Sequence, residues 1–300
     1  MKLFKALGTG AVRSLKAYKG VIIILFFYIL LISMLTIPLK GSLKTGFGNS
    51  MITELLKNGI NIEVFSDLEV QFESIISYLS SGLLILVILT VLMNAFLGGG
   101  LFNSLKGSGT NLTVSEFFRS SARYFWSFLV VTVLTSLMNI LLGVFIIGIP
   151  FGIAYGGSSG PGTSSFIILF IGIILYLIVI LSILLVADYS RAWLVTKEKP
   201  ACFKALGYGF STTFRYFLSS FPMMLILVVI IMLFAWLSMR LIGLWIPDTG
   251  AGALLLFIVS QVLFFGKLLL KAWRYGSVTT LMEMHSVRPA KEEEVAIRNV

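Results

Sequence analysis

Cysteine and histidine are nearly missing from this chain: Cys202 and His285 each stand alone among 300 residues. One thiol excludes an internal disulfide framework and a thiolate-rich metal site. One imidazole leaves little for a metal centre or a histidine-based acid–base pair. Charge is scarce as well. Only 12% of residues are charged, where a soluble domain carries about a quarter. Paired carboxylates and a nucleophile with an adjacent base are not found. Gly98-Gly99-Gly100 ends an apolar run and lacks the strand that precedes a phosphate loop. Glu292, Glu293 and Glu294 form a solvated run in a polar tail. The sequence therefore reads as non-catalytic, with no cofactor and no metal.

Apolar length is what the chain has in abundance. Hydrophobic residues make up 58% of it, and the mean hydropathy is +1.00. In a bilayer every backbone polar group must be paired within the protein, which leaves helices or closed barrels. The runs are continuous rather than alternating, so helices are expected. Six windows are long enough to cross: 21–39, 78–101, 126–154, 165–187, 218–239 and 252–273. The basic segment Lys2–Lys19 and the long run after it read as a retained first span, not a cleaved signal.

Positive charge orients these spans. All but four of the 23 Lys and Arg fall in 1–20, 105–124, 190–215 and from Lys267 onward; the exceptions are Lys40, Lys44, Lys57 and Arg240. The positive-inside rule then places both termini on the cytoplasmic side. The formal net charge of +10 points to anionic lipid headgroups rather than nucleic acid, because the bases cluster beside apolar spans. A membrane-protein partner is also expected.

The outer loop 40–77 is the one sizeable extramembrane segment. Within it, 51–57 reads as a short helix stopped by Asn58-Gly59, and Ser66-Asp67-Leu68-Glu69 as a capping box. It serves either as a docking surface or as a cap on the bundle. Gly156 to Gly162 reads as a turn, and Pro289 to Val300 as a frayed tail.

The chain also repeats itself. Phe4-Lys5-Ala6-Leu7-Gly8 recurs as Phe203-Lys204-Ala205-Leu206-Gly207, with a base twelve residues after each Phe, at Lys16 and Arg215. Arg123-Tyr124-Phe125 matches Arg215-Tyr216-Phe217, which aligns Phe118 with Phe210. Arg191-Ala192-Trp193 echoes Lys271-Ala272-Trp273. Thr113-Val114-Ser115-Glu116 caps the middle copy, and Pro200 suits the first turn of the third. The expected fold is all-α: one membrane domain of six spans in three hairpins (1–104, 105–196 and 197–288, with the tail 289–300), each preceded by an amphipathic juxtamembrane helix. Trp126, Trp193 and Trp273 suit an aromatic belt on the inner side.

The run Gly98-Gly99-Gly100, the stretch Thr113 to Phe125, and Ala187-Asp188-Tyr189-Ser190-Arg191-Ala192-Trp193-Leu194-Val195 resemble a group of uncharacterised bacterial six-helix membrane proteins. The layout is more loosely similar to the membrane domain attached to some glycerophosphodiester phosphodiesterases, whose catalytic barrel and metal-binding acids have no counterpart here. The resemblance implies a multi-pass protein of the bacterial cytoplasmic (inner) membrane. It carries over no activity.

Two sets of polar residues are candidate sites. Asn94, Asn139 and Gln261 lie inside spans; they either line a polar path or hydrogen-bond neighbouring helices. Asp188 and Arg191 share a face at the end of span four, and Lys267, Lys271 and Arg274 form one stripe near the end of span six. Either Asp188 pairs with Arg191 or a base of that stripe, building an anion or headgroup site, or the bases only snorkel to the interface. Gly148, Pro150, Gly152 and Gly156 suggest close helix contact, and Pro150 either a break in span three or a simple helix end there. The functional expectation is a non-catalytic membrane protein that organises or assists a membrane partner or the bilayer. The alternative is a transporter or channel-like protein for a small or lipid-like solute.

Overall fold

The computed structural model describes residues 2–47, 69–106, 113–155, 163–245, 247 and 249–298. Among them the fold is all-helical. In chain order the helices are α1 (Lys2–Lys16), α2 (Tyr18–Phe47), α3 (Glu69–Ser104) and α4 (Val114–Gly143). A π-helical turn (Val144–Gly148) leads into α5 (Ile149–Tyr155). Then come α6 (Thr163–Thr196), α7 (Cys202–Arg215), α8 (Phe217–Gly243) and α9 (Gly250–Arg298). Five stretches are long and apolar enough to cross a membrane: Gly82–Ser104, Val114–Gly152, Phe166–Thr196, Phe217–Gly243 and Gly250–His285. A sixth is counted when α1 and α2 are taken together across the break at Ala17. The helix expected over 51–57, its Asn58-Gly59 stop, most of the capping box at Ser66 and the Gly156–Gly162 turn lie outside the described residues. So do the side chains of Lys40 and Lys44.

The chain forms two compact units. The smaller is Ile23–Asn94; the larger is Met1–Ile22 with Ala95–Val300. In the smaller unit, Tyr28 donates to Asn94 Oδ1 at 2.7 Å, and Asn94 Nδ2 donates to the Thr90 carbonyl at 2.9 Å. That amide bonds a neighbouring helix through Oδ1 and its own helix through Nδ2.

In the larger unit, three helical segments bury the same register. Aligning Lys16, Arg123 and Arg215, as the sequence repeat does, also aligns the seams. Gly10, Ser14, Ala17 and Val21 are buried in the first; Phe117, Ser121, Tyr124 and Phe128 in the second; Gly209, Thr213 and Ser220 in the third. These positions recur every three, four or seven residues, the spacing of one helix face. Exposure follows the same register: Leu15, Ala122 and Phe214 are exposed, then the three bases, then Lys19, Trp126 and Leu218.

Each seam meets a different helix end. The α1 seam lies on α9, where a methyl group at Gly10 would stand 2.6 Å from the Ser277 amide nitrogen. The α7 seam lies on α6, where a methyl group at Gly209 would stand 2.6 Å from the Val186 carbonyl. For the start of α4 the roles are reversed. Phe117 and Ser121 fill the space left by Gly100 of α3, whose added methyl group would come within 2.8 Å of the Phe117 ring. Gly98-Gly99-Gly100 is thus a packing device. Thr113 opens α4 with the expected capping box: the Glu116 amide donates to Thr113 Oγ1, and Glu116 Oε2 accepts from the Thr113 amide at 2.9 Å.

Other sequence expectations need correction. Pro200 does not sit in the first turn of α7. It precedes the Ala201 cap, and its carbonyl accepts from Ser127 at 3.1 Å. The small residues Gly148 and Gly152 make no close helix contact, since Gly152 has nothing within 4 Å. Close approach falls instead to Gly143, against Tyr176, and to Gly172, against the Ile146 carbonyl at 3.1 Å. That carbonyl is the one Pro150 cannot bond four residues on. The π turn, where Ile149 N–H reaches the Val144 carbonyl, carries the helix past the gap. Span three is therefore re-registered near Pro150 rather than ended. At the chain's far end α9 continues through Pro289 to Arg298, where a frayed tail was expected. Among the belt tryptophans Trp126 is exposed, while Trp273 donates to the Leu7 carbonyl at 2.8 Å and is spent inside the protein.

Candidate functional site

The polar cluster at the base-rich end is built on α6, α9 and α4. The apolar run of α6 leads to Asp188, whose side chain is 0% exposed. Arg191, one turn on, places Nη1 3.3 Å from Asp188 Oδ1. From α9, Arg274 brings Nε to 3.0 Å from Asp188 Oδ2 and Nη2 to 3.5 Å from Oδ1. Arg191 uses its other nitrogen on Thr132 Oγ1 of α4 at 3.1 Å. One carboxylate thereby ties three helices. Withdrawing a carboxylate from water costs several kcal/mol, and two guanidinium partners offset that cost.

Aromatic side chains wall the cluster. The Arg274 guanidinium lies 4.9 Å from the centre of the buried Tyr275 ring, and Lys271 Nζ lies 5.9 Å from it. Phe102 of α3 stacks on the same ring at 4.6 Å. Both arginine side chains are mostly enclosed, at 14% and 12% exposure. Lys271 is half-buried and Lys267 exposed.

The five residues expected here therefore separate into layers. Asp188, Arg191 and Arg274 are joined. Lys271 stands beside the Tyr275 ring, and Lys267 lies one turn further toward the apolar stretch of α9. The sequence offered two alternatives for Asp188, Arg191 or a base of the stripe, and the carboxylate meets both. Thr132, Phe102 and Tyr275 were not singled out in the sequence. Nothing in an apolar run distinguishes a threonine or an aromatic that will meet a charge across a helix interface.

The second expected set is spread over three helices, with Asn139 and Gln261 in the larger unit. Asn139 is on α4, which packs along α6, whereas Gln261 is on α9, which packs on α8, α6 and α1. Tyr176 donates to the Asn139 backbone carbonyl at 3.1 Å. The Asn139 Oδ1 is buried with no hydrogen-bond partner among the described residues. Asn94 belongs to the smaller unit and is bonded there as described.

Two further ionic contacts hold helix ends together. Arg13 of α1 pairs with Glu283 of α9 at 2.7 Å. Lys106 pairs with Glu198 at 2.7 Å, and Arg123 donates to the Glu198 carbonyl at 3.0 Å. Glu198 has φ 56°, a left-handed conformation that side chains other than Gly and Asn seldom adopt. The hydrogen bond and charge of Lys106 hold its carboxyl below the ordinary value. Arg13, Lys106 and Arg123, read in the sequence as headgroup bases, are thus bonded within the protein. Lys5, Lys16, Lys19, Lys204 and Arg215 are exposed.

Comparison with family models, with curated proteins and with solved structures returned no match.

Proposed function

We propose that this chain is a non-catalytic integral membrane protein that organises the bilayer, or a membrane partner, at its base-rich face. The reading includes six spans in three hairpins, each entered by an amphipathic helix at the cytoplasmic surface of a bacterial inner membrane. The observation that carries it is the shared register of α1, the start of α4 and α7. The first and third bury a seam of mostly small residues against a helix end, the start of α4 buries aromatic side chains against the glycines of α3, and all three turn apolar and basic side chains outward. On α1 and the first turn of α2 the outward face holds Phe4, Leu15 and Tyr18 beside Lys5, Lys16 and Lys19; on α7 it holds Phe203 and Phe214 beside Lys204 and Arg215. Aromatics at the acyl boundary with bases at the headgroups suit an interfacial helix.

The test is reconstitution into vesicles with and without phosphatidylglycerol. An organiser slows lateral diffusion of the labelled anionic lipid more than that of a zwitterionic one, and charge-removing substitutions at Lys5, Lys16 and Lys204 abolish the difference. Equal slowing of both lipids would count against this reading. A second reading is passage of a solute or lipid. The π turn beside Pro150 and the buried Asn139 Oδ1 favour it, because interrupted spans and buried amides recur along transport paths. Vesicles that scramble a labelled lipid, or release entrapped phosphate, faster than empty ones would put it first.

A further inference from the structure

We infer that Arg240 and Trp236 form a contact site for phospholipid phosphate on the surface opposite the base-rich face, and that with Arg215 and Tyr216 they set the bilayer thickness that α8 accepts. This requires that α8 cross the bilayer, and requires no preference for anionic lipid. Residues 216–239 carry no charge, and an arginine bounds the run at each end. Arg215 and Arg240 are 25 residues apart, about 37 Å along a helix. A bilayer is about 30 Å thick in its hydrocarbon and about 40–45 Å with its headgroups. Both guanidinium groups therefore fall in headgroup layers when the run lies across the hydrocarbon. Each also lies over a ring on its hydrocarbon side: Arg215 over Tyr216 and Arg240 over Trp236, both 5.6 Å from the ring centre. The two rings are 20 residues apart, about 30 Å along a helix, which is the hydrocarbon thickness itself.

Chemistry selects the partner. A guanidinium stacked on a ring keeps its plane fixed and its N–H edge open, and that edge matches two phosphate oxygens. Arg240 is exposed, and among the described residues no carboxylate pairs with it. Trp236 is 57% exposed, and Met239 and Leu244 beside it are more exposed still, so this end of α8 faces lipid rather than the bundle. The other end differs: His285 of α9 stacks on the Tyr216 ring at 3.9 Å, which ties that end to the bundle. Just past Arg240 the chain turns back. The Trp245 amide donates to the Ile242 carbonyl at 3.3 Å, and the exposed Trp245 ring adds a second amphipathic anchor at this surface. Without Arg240 the uncharged run would continue to Asp248. The arginine thus decides where α8 stops in the bilayer, because a charge at the hydrocarbon edge resists being drawn in.

The experiment uses the full chain, isotopically labelled at the arginine Cζ, in bilayers of phosphatidylcholine alone. Solid-state NMR reads dephasing of that carbon by lipid phosphorus, and the difference between wild type and Arg240→Gln isolates the Arg240 signal. That signal should be dephased, and Trp236→Leu should weaken the dephasing because the guanidinium loses the ring that holds it. Unfolding midpoints are then followed across phosphatidylcholines of increasing chain length. The wild type should be most stable near a hydrocarbon thickness of about 30 Å, and Arg240→Leu should move that optimum to longer chains. Arg240→Gln, which removes the charge and stays polar, should move it less and replaces Arg240→Leu should the latter not fold. An Arg240 carbon untouched by phosphorus overturns the inference, as does a variant whose optimum equals that of the wild type. Stability indifferent to chain length in both chains would overturn the crossing of α8 itself. No anionic lipid is present, so each of these failures leaves the organising role of the base-rich face to its own test.

Discussion

Gly10 and Gly152 both belong to the larger unit, yet they meet different surroundings. A methyl group on Gly10 would press on the Ser277 backbone, whereas one on Gly152 would meet nothing within 4 Å. The contrast extends to whole regions. At the base-rich end, helices cross on glycine and serine, carboxylates are paired, and Phe102, Phe117, Phe128 and Tyr189 are almost fully buried. In the apolar stretches away from it, Phe145, Phe166, Phe170, Trp236 and Phe257 are exposed. Lipid removes any hydrophobic reward for burying those side chains against one another. Specific structure is therefore concentrated where backbones can approach and charges can pair.

Substitutions can break this contrast, and their effects should fall in a definite order. Replacing Arg274 by Gln leaves Asp188 with one partner and should cost about 3–5 kcal/mol, read as a lowered midpoint of denaturant unfolding in micelles. Gly10→Leu should cost about 3 kcal/mol or more, since overpacking here is against backbone. It should release α1 to protease, while Gly152→Leu leaves both midpoint and cleavage unchanged. A large loss from Gly152→Leu would show that the exposed stretch is packed after all. Gly100→Ala should cost roughly 1–3 kcal/mol, and Phe117→Leu in the same chain should recover part of it, giving a measurable coupling in a double-mutant cycle. Thr113→Ala removes a helix cap and should cost about 1 kcal/mol.

The smallest effect belongs to Glu198. Its carboxyl is held below the ordinary value by Lys106, so the contact contributes above the ordinary carboxyl range and is lost as pH falls through the lowered value. Glu198→Gln should differ slightly from wild type near neutral pH. The two unfolding midpoints should converge in acid, and a gap that widened in acid would reverse the sign of this contribution.

Much of this was legible in sequence because it is local or periodic. Apolar length gave the crossing stretches, and Thr113 to Glu116 gave a cap confined to four residues. The alignment of Lys16, Arg123 and Arg215 gave the buried register of three helices. Asp188 and Arg191 shared a face by spacing alone. The crossings at Gly10, Gly100 and Gly209 were not legible, because a glycine in a chain with 28 of them is informative only once its partner is known. Those partners lie far along the sequence. The meeting of Arg274 with Asp188, across 86 residues, belongs to the same class. So does the role of Gly172 beneath the Ile146 carbonyl, which depends on a proline in another helix.

The packing of α1 on α9 also sets an order of events during synthesis. Trp273 reaches the Leu7 carbonyl across 266 residues. At about 5–20 residues per second, α1 leaves the ribosome roughly a quarter to one minute before its partner exists. Until then its small-residue seam has nothing to cover it, so the helix must be held elsewhere, and the outward aromatic and basic face suits a temporary hold on the membrane surface. Helix α9 then claims α1, and the seam is covered only once α9 has been made.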